Sequence, residues 1–363
     1  MHVNYEKCNN IIYPNLICTF SWHSTRIDYF LNKIRSEDSN KGWIDFESEI
    51  SHVVQSLDCV MRYNTEVNRI DGEAKKENKE LYNDGQKFFN NTVNKGIDLG
   101  YQVPNWDIKT FYGDRAKRLI DELVDDLNKL IRCLEIYLEE VVEEISIDYK
   151  LKDIEDICNE IDKVLSFNYT NTFKRIYEQS STDIEYDYIH GKLNVNNKNK
   201  ENNMVLGIDE YLDDMKRNKE LEFIEFKKYF QRIYKKTGCM YKRWVEEMKL
   251  EYEEYFNAKK AVGDIEYLED KDLINEKTMR ILEDKGGKHN IYIFGHSLDV
   301  TDKEILKDLI LLENATITIF YHDNLAYMQQ ISNLVKIIGQ DILIDKVYGN
   351  APKIIFKKQN KNI

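Results

Sequence analysis

Proline is scarce in this chain. Three of 363 residues are proline and 15 are glycine, so little interrupts a helix, and a helix-rich chain is expected. Paired cysteines are lacking too. The six cysteines (Cys8, Cys18, Cys59, Cys133, Cys158 and Cys239) are scattered, with no Cys-x-x-Cys. That pattern excludes a disulfide frame and a zinc site and fits reduced thiols in a cytoplasmic protein. No His, Asp and Glu cluster has ligand spacing, so no metal is expected. No apolar run approaches the ~20 residues that span a bilayer. The polar start, Met1 to Lys7, argues against a secretory signal. Positive charge is in deficit, with 52 basic against 65 acidic residues and a net charge of -13. Bulk electrostatics therefore favours neither nucleic acid nor an anionic membrane as a partner.

What is present is enough to build a core. Hydrophobic residues make up 42% of the chain, too many for general disorder. The length admits one large domain or two smaller ones. The abundance of Lys, Asn, Ile and Tyr points to an AT-rich bacterial gene. Phe46, Ile50, Val53, Val54 and Leu57 share one helical face with Trp43. The clearest long helix runs from about Asp114 to Ile145, where Leu119, Leu123, Leu127, Leu130, Leu134, Tyr137 and Val141 recur at steps of three and four. Such a helix covers a core; the alternative is a partner-binding helix. Residues 219–258 are again expected as helix, with Phe223, Phe226, Phe230, Ile233 and Tyr234 as its apolar face.

Strand patterns fall in two blocks. Lys163 to Tyr169, Tyr186 to Ile189 and Met204 to Leu206 form the first. Ile291 to Phe294, Ala315 to Tyr321 and Ile342 to Ile344 form the second. Residues 170–177 and 324–338 read as helices between them, and Thr301 to Glu304 reads as a capping box. Alternation with helices argues for a parallel sheet, so the expected fold is α/β and Rossmann-like, with large helical insertions. The expected division is a degenerate or truncated first strand and helix (1–42), a helical insertion (43–160), the first part of the core (161–210), a second insertion (211–289), the second part of the core (290–350) and a solvated tail (351–363).

Three strands end in polar corners: Asn168, His190-Gly191, and Gly295-His296-Ser297 with Asp299. Ligands of open α/β sheets bind at the carboxyl ends of the strands. Each residue also has a structural reading. His190 can be a satisfied core histidine, Asn168 a helix cap, and Ser297 a turn residue. Gly295 to Asp299 nearly matches a nucleophile elbow, but Asp299 stands where the tight elbow needs a small residue. Only His322, with Asp323 or Asp341, could complete that triad. Lys227, Lys228, Arg232, Lys235, Lys236, Lys242 and Arg243 read as a solvated helix face, the alternative being a phosphate grip.

The ordered set Phe-Asn-Tyr-Thr (167–170), Tyr-Ile-His-Gly (188–191), Leu-Gly-Ile-Asp (206–209) and Ile-Phe-Gly-His-Ser-Leu-Asp (293–299) resembles the bacteriophage abortive-infection AbiH family. Residues 226–233, 241–244 and 43–47 fit the same family, so the resemblance covers roughly 24–325. The order is also similar to a divergent sirtuin-like NAD-binding core. The resemblance implies phage defence with NAD as ligand or substrate, cleaved to nicotinamide and ADP-ribose. It makes His190 the general base and Asn168 the residue that holds the ribose or orients a water. It assigns nucleotide contacts to Gly191, Gly295, His296, Ser297 and Asp299. An activating phage-derived trigger or a homo-oligomer fits a toxin that stays quiet until infection. One departure is plain. Ser21-Trp22-His23-Ser24 stands where both families carry a Gly-rich turn for the pyrophosphate. The rival expectation is therefore a non-catalytic sensor of a nucleotide or a phage protein.

Overall fold

Apolar spacing sets the first helices. A computed structural model describes residues 46–70, 78–92, 108–146, 150–178, 183–193, 203–212, 215–216, 218–267, 276–283 and 287–360. Helix α1 (Phe46–Ile70) packs on α2 (Lys79–Thr92), and α3 (Gly113–Tyr137) joins them in one core. Val54, Leu57 and Val60 of α1, Phe89 of α2 and Leu119 of α3 are all buried in it. The predicted long helix is thus a core helix, ending in a π turn over Leu138–Val142. The expected first strand and helix within 1–42 lie outside the described residues, as do Trp43 and the Ser21 to Ser24 turn.

Short elements follow: α4 (Lys152–Glu155), β1 (Lys163–Ser166), α5 (Thr172–Tyr177) and β2 (Glu185–Tyr188). The amide of Glu185 donates to the Asp162 carbonyl and that of Ile189 to the Ser166 carbonyl. This constant register is that of parallel strands. Then come α6 (Lys228–Lys235), α7 (Met240–Tyr267), α8 (Glu276–Glu283), β3 (His289–Ile293), α9 (Lys303–Ile310), β4 (Ala315–Tyr321), α10 (Asn324–Ile338), α11 (Gln340–Tyr348) and β5 (Ile354–Lys358). β3, β4 and β5 form a parallel sheet in that order, with Ile291 opposite Ile317 and Ile317 opposite Ile354. The chain is a mixed α/β protein with small parallel sheets.

It divides into two units. The first holds residues up to Ser146 with Ser166–Asn171 and Tyr188–Thr237; the second holds Ile147–Leu165, Thr172–Asp187 and Gly238–Ile363. In the second unit, Ile317 and Ile319 of β4 pack with Leu306 and Ile310 of α9 and with Leu334 and Ile337 of α10. Side chains of β2 also fasten α7 there. Asp187 accepts the Tyr241 amide at 2.8 Å, and the Trp244 indole donates to Glu185 at 2.8 Å.

Several sequence expectations need correction. Met204 to Leu206 joins no strand ladder among the described residues; its backbone groups bond to side chains and to a turn. Ile342 to Ile344 lies in α11, because Leu343 and Lys346, one helical turn apart, are its buried positions. The residues that read as tail supply β5: buried Ile354 completes the sheet, and the lysines after it hid the strand. The 219–258 helix is broken by Lys236, which takes a left-handed φ of 53°. Ile233 and Tyr234, expected on a buried face, are 69% and 76% exposed. Conversely, Lys227 and Lys228 are buried, paired with Glu210 and Glu47 at 2.8 and 2.7 Å. Buried ammonium groups need such partners, so this part of the basic run is not a solvated face. The capping box at Thr301 is replaced by Asp299, whose carboxylate accepts the Thr301 amide at 3.0 Å.

Candidate functional site

The first corner, in the first unit, is built from backbone. After β2 the chain turns at Gly191, whose amide donates to the Tyr188 carbonyl. The His190 carbonyl accepts the Val205 amide at 2.7 Å, and the Tyr169 carbonyl accepts the Leu193 amide at 2.7 Å. The Tyr169 hydroxyl donates to the Val205 carbonyl at 2.7 Å. His190 is buried, with the rings of Phe167 and Tyr169 each 6.1 Å from its own. Asn168 is exposed, and its backbone exchanges two hydrogen bonds of 3.2 Å with the Ser166 hydroxyl. Gly191 has φ +74°, and a Cβ there would lie 2.0 Å from the Asn203 carbonyl oxygen. The space a ligand would need at that glycine is filled by the chain itself.

Helix α6 holds this corner with polar side chains. Arg232 donates to the Ile189 carbonyl at 3.2 Å, and Lys235 donates to the Met204 carbonyl. Gln231 accepts the Leu206 amide and donates to the carbonyls of Leu206 and Glu225. Burial drives the Lys235 pKa down to about 8, opposed by the nearby Glu135 carboxylate. Burial also pushes Asp58 of α1 up to about 6, with Arg62 pulling it down and Glu220 raising it. Sequence reasoning missed Gln231. Its signal was available: a glutamine among basic residues at the same helical phase as Lys228 and Lys235.

The second corner, in the second unit, follows β3. Phe294 stacks on Phe320 with ring centroids 3.9 Å apart. Gly295 turns with φ +62°, and a Cβ there would meet nothing within 4 Å. His296 Nδ1 accepts the Leu298 amide at 2.8 Å, which leaves the proton on Nε2, 3.5 Å from Asp302. Ser297 is exposed, and Leu298 is buried with a left-handed φ of 58°. Asp299 starts the next helical turn. Two buried amides of α10 fix the loop: Gln330 donates to the carbonyls of His296 and Phe320, and Asn333 donates to that of Ser297 at 2.9 Å. These residues also escaped the sequence reading. Their signal is an amide pair one turn apart on the face that carries Leu334 and Ile337.

The predicted residues thus fall into two groups, Asn168, His190 and Gly191 in one unit and Gly295, His296, Ser297 and Asp299 in the other. Among the described residues no group of three or more His, Cys, Asp or Glu side chains is placed to hold a metal. None of the described helices is long and apolar enough to cross a membrane. The family model of bacteriophage abortive infection AbiH matches residues 2–322. The chain belongs to the AbiH family. No curated protein and no solved structure matches it. In this AbiH chain the motifs bind one another. Ile208 bridges to Lys227, and Gln231 holds the backbone of Leu206, so the Leu-Gly-Ile-Asp stretch and the 226–233 stretch form one assembly. Tyr241 and Trp244 are buried anchors of α7.

Proposed function

We propose that this chain is a phage-defence protein that acts by abortive infection. The observation that carries this reading is the family match over residues 2–322. The test is infection of a sensitive host that expresses the gene, beside an empty-vector control. Fewer plaques, with collapse of the culture when every cell is infected, is the expected outcome. Equal plaque numbers and equal culture survival across a panel of phages contradict it.

The finer reading is a Rossmann-like, sirtuin-like core that takes NAD as its substrate. It is supported by the order of the motifs along the chain and by the open space around Gly295. It is not supported at Gly191, where the backbone of Asn203 leaves no room. Hydrolysis breaks the N-glycosidic bond, whose electron pair leaves with nicotinamide, joins the water oxygen to the ribose carbon and frees one proton from that water. The resemblance makes His190 the base that takes that proton and Asn168 the residue that orients the water. Nicotinamide release by the purified protein, abolished by both His190→Ala and Asn168→Ala, is the expected result. No release and no NAD binding sinks this reading. Ser21 to Ser24, without the glycines of a pyrophosphate turn, favour the second reading, a sensor that binds a nucleotide or phage protein without turnover.

A further inference from the structure

Helix α6 is amphipathic the wrong way round. Its inward positions are Lys228, Gln231, Arg232 and Lys235, spaced i, i+3, i+4 and i+7, and all four are polar. Each is tied down: Lys228 to Glu47, Gln231 to the backbone of Leu206 and Glu225, Arg232 to the Ile189 carbonyl and Lys235 to the Met204 carbonyl. On the other side lie Tyr229, Phe230, Ile233 and Tyr234, two pairs each four residues apart. Tyr229, Ile233 and Tyr234 are exposed, and the Phe230 ring lies parallel to that of Tyr234, 6.1 Å between centroids. A helix normally buries such a stripe. A contiguous apolar face left in water marks a contact surface.

The charge around the stripe says what fits it. Residues 226–236 contain five cations and no acid. Lys227 and Lys228 are neutralised by Glu210 and Glu47. Arg232 is held by the Ile189 carbonyl, and exposed Lys236 has no ion pair among the described residues. A second copy of α6 laid on the first would set cation against cation. Single-stranded nucleic acid gains little here: Ile233 is no stacking platform, one exposed cation neutralises few phosphates, and the chain carries -13 overall. An acidic segment with large apolar side chains satisfies both the stripe and the charge.

We propose that the outer face of α6 docks an acidic amphipathic helix of another protein. Its apolar side chains lie on Tyr229, Ile233 and Tyr234, and its carboxylates face Lys236. Two turns of α6 match the i, i+3, i+4 anchors of such a helix. Because the inner face of α6 grips the carbonyls of Ile189 and Met204, the partner reaches the His190 corner through one rigid element. The docking does not depend on what that corner binds.

The test uses the full chain and three fluorescent probes read by anisotropy at low salt. They are a short Glu/Leu amphipathic helical peptide, its Lys/Leu counterpart, and a single-stranded oligonucleotide. The Glu/Leu peptide is expected to bind saturably and the Lys/Leu peptide not to bind. Ile233→Asp and Tyr234→Asp are each expected to weaken the Glu/Leu peptide by at least about tenfold, with the thermal midpoint unchanged because both side chains are exposed. Lys236→Glu is expected to weaken the Glu/Leu peptide as well and to admit the Lys/Leu peptide. No saturable binding of the Glu/Leu peptide, or binding insensitive to Ile233→Asp, overturns the proposal. Oligonucleotide binding that Ile233→Asp abolishes assigns the face to nucleic acid instead. A dimer in sedimentation that Ile233→Asp dissociates assigns it to a second copy.

Discussion

Gly191 and Gly295 each follow a parallel strand, each takes a positive φ, and each adjoins a histidine in sequence. Their surroundings are opposite. A side chain at Gly191 would strike the Asn203 backbone at 2.0 Å, and one at Gly295 would enter open space. The corners are also held alike, Gln231 of α6 at the first and Gln330 with Asn333 of α10 at the second. Similar scaffolding therefore serves two ends. At Gly191 glycine is required so that two stretches of backbone can touch. At Gly295 it is required only for the turn, and the space beside it stays free. A glycine beside a strand-end histidine is not by itself a ligand site.

The largest effect that sharpens this contrast is Gly191→Ala. It combines left-handed strain with a backbone clash, and a loss of about 3 kcal/mol is expected in urea denaturation followed by circular dichroism. An unchanged midpoint would break the contrast. Next, Gln231→Leu leaves three backbone groups without their partner and is expected to cost about 2 kcal/mol; Gln330→Leu, which loses two such bonds, about 1 to 2 kcal/mol. Gly295→Asn keeps a residue that tolerates the left-handed region and meets no neighbour, so a loss below about 1 kcal/mol is expected.

The effects of pH differ in sign from group to group, and the first unit holds both signs. The Asp58 pKa is raised in the folded state to about 6, so the native state binds the proton more tightly. The first unit loses that contribution as pH rises from the usual carboxylate value through about 6. The Lys235 pKa is lowered to about 8. The unfolded chain then holds more protons between about 8 and the ordinary lysine value, and stability rises with pH across that window. In the second unit, hydrogen bonding to Lys353 and the charge of Lys346 hold Glu313 below its usual value. Its contribution is present above that value and is lost as pH falls through the lowered one. Asp58→Asn is expected to flatten the slope between about pH 4 and 6, and Lys235→Met the slope above about 8. Chemical denaturation at a series of pH values checks both; slopes that survive the substitutions assign the linkage to other groups.

Much of the helix plan was legible because its signal is periodic. Leu119, Leu127 and the other apolar steps of α3 specify a buried stripe whatever surrounds them. Short apolar runs carry no such signal. Ile342 to Ile344 and Met204 to Leu206 fit a strand as well as a helix or a turn, and long-range contacts decide among them. β5 needed the neighbour β4 to become visible. Periodicity also does not say which stripe faces inward. On α6 the polar stripe won, because the corner offers carbonyls at Ile189, Met204 and Leu206 that only donors can satisfy. The corner residues themselves were legible as strand-end polar groups. The amides that position them were hidden inside an apolar helix at α10 and a basic one at α6.

The most direct test is calorimetric titration of the protein with NAD, wild type beside Gly295→Asn. In the proposed NAD reading the ligand lies against the open glycine. Saturable heat is expected for the wild type and none for Gly295→Asn, whose thermal midpoint stays near that of the wild type. Undiminished binding by Gly295→Asn, or no binding by the wild type, contradicts that reading.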